Sequence, residues 1–294
     1  MKKFDVIVIG AGHAGIEAAN ITAKMGLQTL LVTMDIDCIG KLSCNPAVGG
    51  IGKSTLVKET DILGGLIGKI TDASLVSARV LNRSKGEAVW ATRAQVDIDR
   101  YPAHARHMLE ERGIRMLQAE TTGLIIKNKH AVGITTNIGE DIRAQKIILC
   151  AGTFLKGIIH IGLTHFSGGR LTERSSDTLH DTLKKWGIRF KYFKTGTCAR
   201  LDTSSLDYRR MIEQKPDRDF DTFSLFSQVF PRKSRMLSCY ITHTGQKTHD
   251  IILKNLKYSP LYTGIIKATG VRYCPSIEDK IVKFKDKGRH QIFI

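Results

Sequence analysis

The 294 residues suffice for a large core and more than one domain without disulfide staples; the formal net charge is +17. Residues 1–150 carry 19 basic and 15 acidic side chains and residues 151–294 carry 26 and 13, so the excess sits in the second half, where nucleic acid is the first partner to consider, an anionic membrane the second, and a merely basic surface the third reading. No apolar stretch approaches bilayer-crossing length, the apolar run of "MKKFDVIVIG" is too short for a signal peptide, and six cysteines (38, 44, 150, 198, 239, 274) without a C-x-x-C pair fit a reducing, cytoplasmic setting.

The first predicted element is a buried strand, Val6 to Ile9, which runs into G-x-G-x-x-G at Gly10, Gly12 and Gly15. Helical spacing follows through Ile16, Ala19, Ile21 and Ala23 to Gly26, and a second strand is predicted over Gln28 to Thr33. Gly10 permits the tight turn, Gly12 admits a pyrophosphate, and Gly15 lets the helix lie against the strand, whose following helix N-terminus offers free N–H groups. An acid that would take ribose hydroxyls is absent at the end of the second strand, where Thr33 and Met34 precede Asp35 and Asp37. A later acid or the backbone must serve.

"SCNPAVGGIGKS" meets the relaxed phosphate-loop pattern, with Lys53 and Ser54 in the last places, but "GKLSCNP" before it lacks the content of a strand and Pro46 cannot donate to a ladder. The expectation is an accidental match and a glycine-permitted loop; it either approaches a flat or phosphorylated ligand or is a tight turn without one. Further on, a short helix-like stretch leads to Gly64 and Gly65, and "AQKIILCAGTFLKG" is a strand ending in Ala151 and Gly152. Small-residue strand ends beside the first glycine turn favour a flavin over a nicotinamide in this half.

Near the end, "GVRYCPSIEDKIVKF" predicts a helix with Pro275 at its first position, Glu278 and Asp279 in its first turn, and Ile277, Ile281, Val282 and Phe284 as its apolar face. Cys274 would be its cap. Beside Arg272 and unpaired N–H groups, that thiol is expected to be partly ionised, a nucleophile or proton shuttle; the other reading is a small buried residue without chemistry. Cys44 is the second candidate, and Cys38, Cys150, Cys198 and Cys239 read as packing. Cysteines and histidines show no paired ligand spacing, so no metal site is expected. The basic runs "RYPAHARHMLEERGIR", "DYRRMIEQKPDRD" and "FPRKSR" have aromatic neighbours, as an RNA-facing surface would, though most such runs are solvated faces.

The stretches "DVIVIGAGHAG", "SCNPAVGGIGK", "LVKETDILGGL", "LNRSKGEAVWATRAQ", "GTFLKGIIHIGL", "FSGGR", "KTGT", "CYITHT", "KTHDII", "RYCPSIEDKIVKF" and "RHQIFI" together resemble the glucose-inhibited division protein A family, in family order along the whole chain. Glu87, Trp90, Cys198 and Ala199 depart from its pattern, the last two standing where the family has a proline pair. The resemblance implies an α/β FAD-binding Rossmann-like domain of the glutathione reductase type over residues 1–200, rejoined at 275–294. An inserted, smaller α/β or α+β subdomain over 201–274 would help form an NADH site. The family continues past Ile294, into a further flavin-contacting segment and a helical C-terminal domain, so an N-terminal fragment is expected.

The same resemblance implies FAD contacts at Gly10, Ala11, Gly12, His13, Ala14, Gly15, Thr121 and Ser176, and an NAD segment at Gly270, Val271, Arg272, Tyr273, Cys274, Pro275, Ser276, Ile277, Glu278, Asp279, Lys280, Ile281, Val282, Lys283 and Phe284. His13 is assigned no catalytic role. The implied activity is FAD- and NADH-dependent addition of a carboxymethylaminomethyl or aminomethyl group at C5 of the tRNA wobble uridine. Methylenetetrahydrofolate would supply the carbon, Cys274 would act on the pyrimidine, and Cys44 would assist. A homodimer and a GTPase partner subunit, together a heterotetramer, are implied, with no membrane role. Two rivals stand beside this reading: a folate-dependent tRNA uridine methyltransferase, which is expected to lack the "RYCPSIEDK" stretch, and a non-catalytic RNA-binding fragment.

Overall fold

The strand that opens the chain, β1 (Lys3–Ile9), is apolar on both faces because both are covered. The computed structural model describes residues 3–227, 236–270 and 275–294. Val6 and Val8 pack into one core and Ile7 and Ile9 into another, the alternation expected of a pleated strand between two layers. Helix α1 (His13–Lys24) follows, burying Gly15, Ile16, Ala19, Asn20 and Thr22, and returns the chain to β2 (Thr29–Thr33), parallel to β1. Complete burial of a side chain such as Ile16 contributes about 1.5–3 kcal/mol, so this βαβ start is held by its apolar face.

The next segment departs from the loop expected there. Residues Ala47–Gly49 form a short strand, β3, followed by α2 (Lys53–Ile62), α3 (Ile67–Ala73), β4 (Leu75–Leu81) and β5 (Ala91–Val96). These strands make a separate antiparallel sheet in the order β3-β5-β4. Pro46 is tolerated because β3 is an edge strand and the proline enters only as acceptor, its carbonyl taking the Val96 N–H at 2.8 Å. A distant segment closes this sheet: the Phe223 and Ser224 amides donate to the Asp72 carboxylate at 2.8 and 2.9 Å, and the Leu225 amide to Asp61 at 2.9 Å. The Phe223 ring, 1% exposed, lies under Gly49 and joins the core of Val6, Val8, Ile16 and Leu31.

The chain then adds α4 (Arg100–Glu111), which buries Tyr101, Ala105 and Leu109, and four strands: β6 (Arg115–Gln118), β7 (Thr121–Lys127), β8 (His130–Thr136) and β9 (Asp141–Leu149). The main sheet has the order β6-β2-β1-β9-β8-β7; β6, β2, β1 and β9 are mutually parallel, and β8 is antiparallel to both of its neighbours. After the hairpin β10 (Ile158–Ile161) and β11 (Thr164–Ser167), helix α5 (Asp177–Lys185) covers β7 with Leu179 and Leu183, completing the second core. This is the expected Rossmann-like α/β fold.

Later elements are short. β12 (Phe193–Lys194) pairs in parallel with β15 (Thr269–Gly270), while β13 (Ile212–Gln214), β14 (Cys239–His243) and β16 (Gln291–Phe293) form an antiparallel sheet. Helices α6 (Gln246–Asn255) and α7 (Ile277–Lys283) pack on one another. The cap of α7 is Ser276, whose Oγ accepts the Asp279 N–H at 3.3 Å, and not Cys274 as expected. A serine hydroxyl reaches the free amide three residues on, and Pro275 sits just outside the helix. Glu278 and Asp279 occupy the first turn as expected. Val271, Arg272, Tyr273 and Cys274 lie outside the described residues.

Candidate functional site

Three glycines decide the geometry at the tip of β1. Gly10 has φ +94°, and a Cβ there would stand 2.5 Å from the Cys150 carbonyl oxygen; at Gly15 it would stand 1.8 Å from the Gly10 carbonyl oxygen. At Gly12 it would meet nothing within 4 Å. The first and third glycines are therefore required by crowding of main chain on main chain, and the middle one borders open space. Gly12 is also the N-cap of α1; no side chain caps this end and no acid lies in the first turn. First-turn amides have no acceptor within their own helix, so their partial positive charge faces the opening. His13 does not add to it: burial lowers its pKa, keeping the ring neutral, and the ring packs 5.5 Å from that of Tyr101.

The opening is a cleft of about 200 Å³ that is open at its mouth. Its floor is formed by the ends of the parallel strands: Ile9 to Gly12, Val32 to Asp35, Ala119 to Thr121, and Cys150 to Phe154. Strand ends gather there because parallel strands all finish on the same edge, beside the point where the order turns from β1 to β9. The far wall is supplied by Arg170, Glu173 and Ser176, more than a hundred positions beyond the ends of β1 and β2.

The wall is charged. Arg170 lies over the Phe154 ring at 5.4 Å with its Nε 3.4 Å from Glu173 Oε1, and its buried Nη1 has no hydrogen-bond partner among the described residues. Lys41 Nζ donates to the same Glu173 oxygen at 3.2 Å. The Cys38 thiol donates to Asp35 at 3.1 Å, which, with the Asp37 amide and the cations Lys41 and Arg170, holds the Asp35 carboxyl below its usual range. Cys38 itself is pushed up to about 11 by burial and by these carboxylates. Thr121, 3% exposed, presents an Oγ1 with no hydrogen-bond partner among the described residues. The N-cap Gly12, an orphaned guanidinium N–H and an orphaned hydroxyl line one cavity, with the uncapped α1 amides directly behind it, a donor set suited to an elongated ligand with phosphates at its centre.

Of the residues singled out from sequence for FAD, Gly10, Ala11, Gly12, Thr121 and Ser176 are brought together around the cleft; His13, Ala14 and Gly15 stand behind it in α1. Ser43 lines the cleft and Cys44, the next residue, does not; the Cys44 thiol donates to the Gly196 carbonyl at 3.5 Å. Among the described residues of the NAD segment, Gly270 and Pro275 to Phe284, none lines the cleft. That segment is held by Tyr262, whose hydroxyl donates to Asp279 at 3.1 Å, and by Ser259, which donates to Glu278 at 3.1 Å. Burial opposes the charged Asp279, yet Lys283 and Tyr262 outweigh it and keep its pKa below the usual value.

Sequence reasoning missed Arg170 and Glu173. The only signal at Arg170 was "FSGGR", quoted for resemblance and carrying no periodicity, and Glu173 lies in none of the quoted stretches. Of the basic runs, the first is α4, amphipathic and core-packed; in the second, Arg209 pairs with Asp207 at 2.9 Å; "FPRKSR" lies outside the described residues.

The family profile described as "Glucose inhibited division protein A" matches residues 5–294. A curated protein of Thermodesulfovibrio yellowstonii, the tRNA uridine 5-carboxymethylaminomethyl modification enzyme MnmG, is 48% identical over 294 residues, which is all of this chain and 47% of that protein. The structure of Aquifex aeolicus GidA in its form I crystal superposes with a TM-score of 0.92 at 44% identity, over 100% of this chain and 50% of that one. Its form II crystal gives 0.89 at 42%, over 99% and 47%. The chain thus spans about half the length of the relatives it matches.

Proposed function

This chain belongs to the glucose inhibited division protein A family, and we propose that it forms the flavin-binding part of an enzyme that modifies the wobble uridine of tRNA. The observation that carries the reading is the crowded turn Gly10–Gly15 opening onto a cleft with unpartnered donors at Thr121 and Arg170. That cleft would take the central, pyrophosphate part of an FAD. The α1 amides and Gly12 would hold its pyrophosphate, Asp35, just past the end of β2, or Glu173 would take the ribose hydroxyls, and Thr121 and Ser176 would bond along its length. When bound, FAD supplies a two-electron carrier between NADH and a one-carbon unit from methylenetetrahydrofolate.

The chain's own residues do the rest. The segment from Gly270 to Phe284 would bind NADH, residues 201–274 forming the smaller unit that carries it toward the domain of residues 1–200 and 275–294. Cys274 would add to the pyrimidine or accept its C5 proton, and Cys44 would assist. The basic second half would meet the tRNA phosphates. A homodimer, a GTPase partner and a cytoplasmic setting complete the reading; among the described residues no helix is long and apolar enough to cross a membrane.

A visible absorption spectrum tests it. The purified chain incubated with FAD and desalted should keep an oxidised-flavin band that NADH bleaches without oxygen. A chain that emerges colourless, and whose tryptophan emission FAD does not quench, would overturn the reading.

A further inference from the structure

Two thiols outside the cleft meet across a pair of loops. The Cys44 Sγ donates to the Gly196 carbonyl at 3.5 Å; in the other direction the Cys198 Sγ donates to Asn45 Oδ1 at 3.2 Å and lies 3.8 Å from the Cys44 carbonyl oxygen. Arg200 clamps the pair, its Nη2 donating to the Cys44 carbonyl at 2.7 Å and its Nη1 lying 3.9 Å from the Cys198 Sγ. Each thiol is thus bonded to the other's loop. Residues 43–46 and 196–200 belong to no helix or strand, so the small shifts that disulfide geometry demands disturb no hydrogen-bonded ladder. Cys198 is exposed and Cys44 is half-buried, so a small oxidant reaches both.

We propose that Cys44 and Cys198 are a dithiol modification site, closed to a disulfide by a peroxide and reopened by a dithiol reductant. One sulfur, as thiolate, attacks a peroxide oxygen; the O–O bond breaks, one oxygen leaves as water, and the other stays as a sulfenic acid. The second sulfur displaces that hydroxyl, which leaves as a second water, and the S–S bond forms. The two sulfurs together lose two electrons, the peroxide gains them, and both thiol protons end in water.

The other described cysteines are poorer targets. Burial raises the pKa of Cys38, Cys150 and Cys239 and so lowers their thiolate fraction. The bond would join the cleft-lining loop at Ser43 to residues 196–200 and remove the Cys44 thiol from any chemistry. This inference stands apart from the flavin reading, since it needs no bound cofactor.

The test uses the 294-residue chain treated with hydrogen peroxide, alkylated, and digested without reductant for mass spectrometry. A peptide pair carrying Cys44 and Cys198, lighter by two hydrogens, is expected. Most Cys44 alkylation should be lost and then restored by dithiothreitol. In Cys198→Ser and Cys198→Ala, each checked for folding by circular dichroism, the linked pair should vanish and Cys44 should instead be trapped by a sulfenic-acid reagent. Full alkylation of both thiols at peroxide levels that oxidise glutathione would overturn the proposal. So would linkage of Cys44 to another cysteine or to a second chain.

Discussion

The two glycine-rich turns of this molecule, Gly10 to Gly15 and Gly49 to Lys53, share their ingredients and differ in what they do. Each follows a strand, uses glycines at positive φ, and opens a helix with no side-chain cap. In the first, the helix N-terminus faces a cleft at the end of a four-stranded parallel array. In the second, the preceding strand is a three-residue antiparallel edge, and the Phe223 ring packs against the backbone at its end. A Cβ on Gly49 would meet the Thr92 carbonyl oxygen at 2.4 Å and the Phe223 ring at 2.7 Å. A phosphate loop follows a buried strand directly; the short antiparallel edge strand before this turn supports the reading of the A-x-x-x-x-G-K-S match as accidental.

The contrast can be broken at Phe223, which packs beneath the second turn. Phe223→Ala should cost about 3–5 kcal/mol in urea unfolding through the cavity it leaves, while FAD retention per folded molecule stays unchanged. Loss of flavin at full stability would instead make the second turn part of the site. Gly15→Ala should cost about 3 kcal/mol and abolish FAD retention, because α1 must move off β1. Gly12→Ala sharpens the comparison: its φ of −72° suits any residue, so stability should shift by less than about 1 kcal/mol. A methyl in the open space should still weaken FAD by at least about tenfold, about 1.4 kcal/mol, in a fluorescence titration.

Acid should act on the first turn, since "AVGGIGKS" contains no histidine. Burial lowers the folded-state pKa of His13, so the folded chain resists a proton that the unfolded chain accepts near pH ~6.5. The stability it contributes is full above about pH 6.5 and is lost as pH falls from there toward the lowered folded value. Unfolding midpoints of the natural chain and His13→Gln at pH ~7.5 and ~5.5 should therefore converge as the pH drops. Glu17 acts in the opposite sense: burial raises its pKa despite the Leu66 and Ile67 amides that donate to its carboxylate at 2.7–3.0 Å, so the folded chain takes its proton more readily than the unfolded one and this contribution grows as pH falls. The smallest effect is expected at Lys53, exposed in the second turn: Lys53→Ala should move stability by less than about 1 kcal/mol and leave FAD binding as it was.

Much of the first turn was legible because its signal is local. An apolar run, three glycines at fixed offsets and a helical period fall within β1 and α1, and the small-residue end of β9 could be read the same way. Strand β3 was not legible: three residues after a proline carry no alternation, and what makes them a strand is their pairing with Thr92 to Gln95 more than forty positions on. Arg170 and Glu173 were invisible for the same reason, since nothing near them in sequence reports that they close a cleft whose floor begins at Ile9. Pro275 suits a first helical position and so points to Cys274 as the α7 cap; the helix instead begins two residues later, and Ser276 caps it because a hydroxyl is the better acceptor for a free amide.

The Phe223 ring also fixes an order of events at the ribosome. Its backbone amide is bonded to a carboxylate 151 residues earlier, and Val48 and Ala94, which share its core, are older still or nearly so. At typical translation rates the small sheet, complete at Val96, is made roughly six to twenty-five seconds before the side chain that covers it emerges. Throughout that interval the nascent chain carries a wet apolar face beside an unpaired β3 edge, the kind of surface a chaperone holds, and ribosome-bound chains stopped before residue 223 should be cut by protease within β3 to β5 where longer ones are not.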